Sequence, residues 1–114
     1  MPFINTKTTV EITKEKELAL KAKLGKAIEC FPGKTEAWLM LNFEDNCKIY
    51  FQGKNDRPAA YLEVSILGSA SNSAYDKMTA ELTKIINDEL DIPADRIYIK
   101  YEETEHWGWN GGNF

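Results

Sequence analysis

Apolar residues recur along this chain with two different periods, and the switches between them mark out its elements. Leu20, Leu24, Ala27, Ile28 and Phe31 share one face at helical spacing, and Tyr75, Met78, Leu82, Ile85 and Ile86 do the same in the second half. Thr13 and Ser71 stand before these stretches as N-caps, because a short hydroxyl side chain accepts from the unpaired amides of a first helical turn. The first helix is expected to run from Thr13 to about Cys30, where Pro32-Gly33 stops it. The second is expected to run from Ser71 to about Leu90, ahead of the break at Pro93. Residues 2–10 read as extended, with β-branched Thr8, Thr9 and Val10. Ala37 to Phe43 is a short apolar run and reads as a buried strand. Asp45-Asn46 and Gly53-Lys54-Asn55-Asp56 are turn chemistry around a short strand at Lys48 to Phe51. Ala60 to Leu67 is a strand closed by Gly68, and Ile97 to Tyr101 is the last.

The second half repeats the order of the first. Moving 58 positions along takes Ile4 to Leu62, Thr13 to Ser71, Leu24 to Leu82, Ile28 to Ile86, Phe43 to Tyr101 and Glu44 to Glu102. Caps, helix faces and strand ends keep one offset, which points to a duplicated β-α-β unit over about 2–58 and 59–114. The fold class expected is α+β, a tandem β-α-β repeat forming one four-stranded mixed sheet with two helices on one face. At 114 residues this is a single domain. A chain of this size buries roughly 65% of its unfolded surface, so its second sheet face calls for a cover. Oligomerisation is the simplest one.

Composition narrows the function. A formal net charge of −4 argues against general nucleic-acid binding, which needs a basic footprint. Small anions stay open, since a pocket can be positive inside an acidic protein. No apolar run approaches a membrane span, and the N-terminus carries no signal-peptide pattern, so the chain is expected in the cytoplasm or exported without a signal peptide. Cys30 and Cys47 fit neither a metal site nor a C-x-x-C motif; Cys30 reads as a buried inert thiol, and His106, the one histidine, as a surface residue.

Four segments carry a resemblance. Pro2 follows the initiator methionine, where aminopeptidases commonly expose it, and Gly33-Lys34 joins the first helix to the next strand. Ser65-Ile66-Leu67-Gly68 ends the strand before the second helix, and Asp95-Arg96-Ile97-Tyr98-Ile99-Lys100-Tyr101 is followed by Gly108-Trp109-Asn110-Gly111-Gly112-Asn113-Phe114. Over essentially the whole chain these resemble the macrophage migration inhibitory factor family of the tautomerase superfamily, its bacterial and protist members included. The resemblance implies a homotrimer with sites between subunits, each built on an N-terminal proline and using no cofactor. It implies a keto–enol tautomerase for phenylpyruvate-like aromatic α-keto acids. The alternative is a cytokine-like factor that binds a host protein receptor and keeps only a vestigial pocket. The Cys-x-x-Cys of mammalian members is missing after Pro58, so no thiol–disulfide activity is implied.

Such a reaction moves a proton between carbon and oxygen and stabilises the enolate between them. The resemblance implies that the secondary amine of Pro2, freed by loss of Met1, is the general base, and such an amine works only when neutral. An α-amino group titrates near 8, and a lysine about 6 Å away at an effective dielectric of about 20 lowers that by about 2 units. Lys34 matches the family's ligand for the substrate carboxylate, and Ile66 matches a position whose backbone contributes beside it. Tyr98 matches a tyrosine supplied by the neighbouring subunit; as a strand tyrosine it has ordinary packing as its alternative. Lys100 stands where mammalian members have asparagine: it either reaches across the subunit boundary to substrate or points to solvent. Phe3, Trp107, Trp109 and Phe114 are expected to wall the pocket for an aromatic ring.

Overall fold

The computed structural model describes residues 1–114. The order is β1 (Pro2–Thr8), α1 (Lys14–Ala27), β2 (Met40–Glu44), β3 (Ala60–Leu67), α2 (Asn72–Leu90) and β4 (Ile97–Thr104), then a small hairpin of β5 (Gly108–Trp109) and β6 (Gly112–Asn113). Both helices start where the hydroxyls predict: Thr13 Oγ1 accepts from Lys16 N at 3.3 Å and Ser71 Oγ from Ala74 N at 3.1 Å.

The sheet runs β2-β1-β3-β4, with β1 parallel to β2, β3 parallel to β4, and β1 antiparallel to β3. Its register carries the duplication. Phe3 pairs with Met40, and the residues 58 positions further along, Tyr61 and Tyr98, also pair. Two β-α-β units are thus joined back to back through their first strands.

Strand alternation then divides the sheet into two faces. Ile4, Leu62, Val64 and Ile66 pack with Leu20, Leu24 and Ile28 of the first helical segment and Met78, Leu82 and Ile86 of α2 in one core. The opposite face carries Phe3, Asn5, Lys7, Tyr61, Glu63 and Lys100, half-buried or exposed. No helix is long and apolar enough to cross a membrane.

Several elements depart from the sequence pattern. β1 ends at Thr8, whose hydroxyl donates to Ala59 O at 3.0 Å and accepts from Val10 N at 3.2 Å, turning the chain. The last turn of the first helix, Ile28–Cys30, tightens to a 3-10 turn, and Cys30 is only half-buried. Ala37–Phe43 is not one buried strand: Glu36–Trp38 forms a 3-10 turn, and β2 is a sheet edge on which Met40 is 68% exposed. An apolar run identifies a strand but not what lies on its two sides. Lys48–Phe51 forms no strand; a lone bridge joins Phe51 to Lys54 around Gln52 and Gly53, both at positive φ. β4 continues three residues past Tyr101, because its pairing with β3 extends to Leu67 opposite Thr104.

Candidate active site

Pro2 opens β1 on the helix-facing side, where a ring costs nothing in lost ladder bonds because the first strand position can lack a donor. It pairs with Ile66 near the end of β3, and Leu67 N donates to Met1 O at 3.1 Å. Gly68, at φ 86, then turns the chain off the sheet into α2. The N-terminus is therefore pinned against the last residues of β3.

Lys34 reaches the same place from the other side. Gly33, at φ 80, lets the chain reverse after the first helix, and Lys34 N bonds back to Phe31 O at 3.1 Å. The Lys34 ammonium donates to Leu67 O at 3.3 Å. Its charge, second to burial, holds the Met1 amine below the usual α-amino range. Both effects disfavour an ammonium at this end of β1.

A cavity of about 760 Å³ opens beside the terminus, with Pro2, Phe3, Trp38, Met40, Trp107 and Trp109 among its lining residues. Trp38 meets Trp109 edge to face with ring centroids 5.1 Å apart, and Phe114 stacks on Trp109 at 6.1 Å. The turn Glu36–Trp38 presents Trp38, and the β5–β6 hairpin presents Trp109 and Phe114. Asn110 and Gly111, at φ 53 and 82, form its two-residue turn, and Phe114 N closes it onto Trp107 O at 3.0 Å. Glu102 and Glu103 also border the cavity. Tyr75 donates its hydroxyl to Glu103 at 2.5 Å, and burial, reinforced by that bond, pushes Tyr75 up to about 12.

Of the residues singled out in the sequence, Pro2, Phe3, Trp107 and Trp109 line this cavity. Phe114 stacks on Trp109, Ile66 pairs with Pro2 and Lys34 bonds the Leu67 carbonyl, and these three are not part of its lining. The Ile66 side chain is core, 1% exposed, so only its backbone faces this task. Tyr98 and Lys100 lie elsewhere. Tyr98 pairs with Tyr61, five residues up β3 from Ile66, which is about 17 Å along the strand. Lys100 sits on the open face, 2.8 Å from Glu102 and 4.0 Å from Glu63, and the bond to Glu102 leads in raising its pKa. Within one chain neither residue shares the Pro2 cavity.

Two features escaped the sequence pattern. Trp38 was hidden inside a run assigned to strand. The terminal hairpin left a usable signal in Asn110-Gly111, the dipeptide that best tolerates two successive left-handed residues.

The family model described as macrophage migration inhibitory factor (MIF) matches residues 1–114. The mouse macrophage migration inhibitory factor is 33% identical over 86 residues, covering 72% of this chain and 72% of its own. The crystal structure of Leishmania major MIF2 superposes with a TM-score of 0.92 at 39% identity, over 100% of this chain and 97% of that one. A homologue from Prochlorococcus marinus superposes with a TM-score of 0.83 at 31% identity, over 98% of each chain.

Proposed function

This chain belongs to the macrophage migration inhibitory factor family, and on that premise we propose that it is a cofactor-independent keto–enol tautomerase for phenylpyruvate-like aromatic α-keto acids. Pro2 is the general base once Met1 is removed. The observation that carries this reading is that Met1-Pro2 opens into an aromatic cavity at the start of β1, with the Lys34 ammonium on the neighbouring Leu67 carbonyl lowering the pKa of the Met1 amine.

While Met1 is attached, the Pro2 nitrogen is an amide and has no basic lone pair. Its removal leaves a secondary amine in surroundings that favour the neutral form. The amine takes a proton from the carbon next to the keto group, and the negative charge moves onto the carbonyl oxygen. The prolinium then returns the proton to that oxygen, giving the enol with no net change in the enzyme. The reverse sequence ketonises the enol. Lys34 holds the substrate carboxylate, adjoining backbone comes from Ile66, and the ring lies against Phe3, Trp107 and Trp109, with Phe114 behind Trp109.

Tyr98 and Lys100 enter from a neighbouring subunit of a homotrimer. An uncovered sheet face, with Met40 and Tyr98 as exposed apolar groups and unpaired edges at β2 and β4, supports assembly. The test combines mass spectrometry of the N-terminus, light scattering, and decay of the phenylpyruvate enol absorbance. A Met1-cleaved trimer that accelerates the decay is expected. A cleaved and folded protein without turnover would leave the family's binding role, toward a protein receptor, as the better account.

A further inference from the structure

The floor of the cavity beside Pro2 is one row across the sheet. Phe3 pairs with Met40 on one side and with Ser65 on the other, and Ser65 pairs in turn with Glu102. Residues opposite one another in such a row share a face, and all four line the cavity. Neighbouring strands lie about 4.8 Å apart, so Glu102 stands about 10 Å from Phe3 with only the small Ser65 between them. The rings of Trp38, Trp107 and Trp109 form the walls.

The only charged side chains in this lining are Glu102 and Glu103; no Lys, Arg or His takes part. Glu103 follows Glu102 along β4 and so turns to the helix side, where the Tyr75 hydroxyl and Ala70 N both donate to its carboxylate. Glu102 stays on the floor, and its ion-pair partner is Lys100 at 2.8 Å. Both side chains of that pair are at least half exposed, so the pair is weak and readily screened. Lys34 stands outside the lining, on the carbonyl of Leu67, two residues past Ser65. The site thus has a cation at the strand end and a carboxylate on the floor beyond Phe3.

Building on the tautomerase reading, we propose that Glu102 is a specificity-determining residue of this site. It admits aromatic acids whose ring is neutral or carries a cation, and it turns away those whose ring carries a second anion. With the acid group at Lys34 and the ring on Phe3, the far edge of the ring extends over the floor toward Glu102. A charge on that edge about 7 Å from Glu102, at an effective dielectric between about 20 and about 80, changes affinity by about 3- to 50-fold. Lys100 lessens the effect while it stays on Glu102. Drawn to a neighbouring subunit's substrate, as in the trimer proposed above, it leaves Glu102 alone on the floor.

All three tryptophans of the chain line this cavity, so intrinsic fluorescence reports on it without any turnover. The probes are 3-phenylpropionate and its para-carboxy and para-aminomethyl derivatives: one ring and one acid group, with a neutral, negative or positive far edge. Each is titrated into the Met1-cleaved native assembly. The para-carboxy acid is expected to bind at least about threefold more weakly than 3-phenylpropionate, and the para-aminomethyl acid at least about threefold more tightly. Glu102→Gln removes the charge at nearly constant size, and the span between the two derivatives should shrink at least about threefold. Salt raised to about 1 M should shrink the native span as well. Phenylpyruvate enol decay, followed on the same protein, tests the tautomerase reading separately: no decay with the binding order intact would remove the reaction and keep the charge selection. Equal affinities, the reverse order, a span untouched by Glu102→Gln, or no binding of any probe would each overturn the proposal.

Discussion

Replacing Lys34 by methionine keeps the length and much of the bulk of the side chain and removes one charge, and its effect has two parts. The first is electrostatic. Lys34 Nζ sits on the Leu67 carbonyl oxygen while the Leu67 amide holds Met1 O, so one residue of β3 separates the ammonium from the terminus. At a separation of about 7 Å, Coulomb's law gives about 2.4 kcal/mol at an effective dielectric of about 20 and about 0.6 kcal/mol at about 80. Lys34 is half-buried, so the effect falls between these limits, about 0.4–1.8 pK units. The sign follows from which form works. A nearby cation disfavours the prolinium and lowers its pKa, so Lys34→Met raises it and moves the acidic limb of the kcat/KM profile to higher pH by that amount. The second part is binding. Losing one charge-assisted bond to the substrate carboxylate costs about 1.5–3 kcal/mol, or about 10- to 150-fold in kcat/KM on the plateau. The assay is enol absorbance decay with phenylpyruvate across pH, on protein whose N-terminus and assembly have been checked. A limb that stays in place together with kcat/KM within twofold of native would refute both the proximity argument and the carboxylate role.

Two further outcomes are expected. Lys100→Asn should raise the Pro2 pKa and shift the same acidic limb upward if a neighbouring subunit's lysine reaches the site; an unmoved limb leaves Lys100 to its bonds with Glu102 and Glu63. Tyr75 is held protonated in the fold to about 12 against 10.0 for the free side chain, so between those values the unfolded chain loses a proton that the native one keeps. Stability from Tyr75 is thus present below pH 10.0 and falls as pH climbs toward about 12. Urea denaturation at pH 9 and pH 11 should show a smaller alkaline loss for Tyr75→Phe than for the native protein, and equal losses would contradict the assignment.

The elements that were legible in the chain are those whose cause is local. Thr13 and Ser71 cap helices because their hydroxyls meet amides three residues on, which spacing alone reveals. The 58-residue offset survived into the strand register because both units bury the same faces against the same helices. What was not legible depends on partners distant in sequence. Nothing in Ala37–Phe43 says that Trp38 turns out of the strand toward Trp109, seventy-one residues away. Lys48–Phe51 has the composition of a strand, but no strand lies beside it in one chain, and Phe51 turns onto Arg96 and Tyr98 instead. Pro2, Lys34 and the terminal aromatics are legible through resemblance; the fold brings Pro2 to the end of β3 because β1 and β3 are antiparallel neighbours, and Lys34 reaches the same strand end through the Leu67 carbonyl.

The central claim is that a free Pro2 amine does the chemistry, and one insertion tests it most directly. An alanine between Met1 and Pro2 leaves the chain able to lose Met1 but puts the proline nitrogen into a peptide bond, abolishing its basicity without altering any other residue. Enol absorbance decay of phenylpyruvate is measured for the native and inserted proteins side by side, with Met1 removal verified by mass and assembly by light scattering. The account predicts turnover by the native protein and none above background by the inserted one. Equal turnover by the two would mean that Pro2 is not the base.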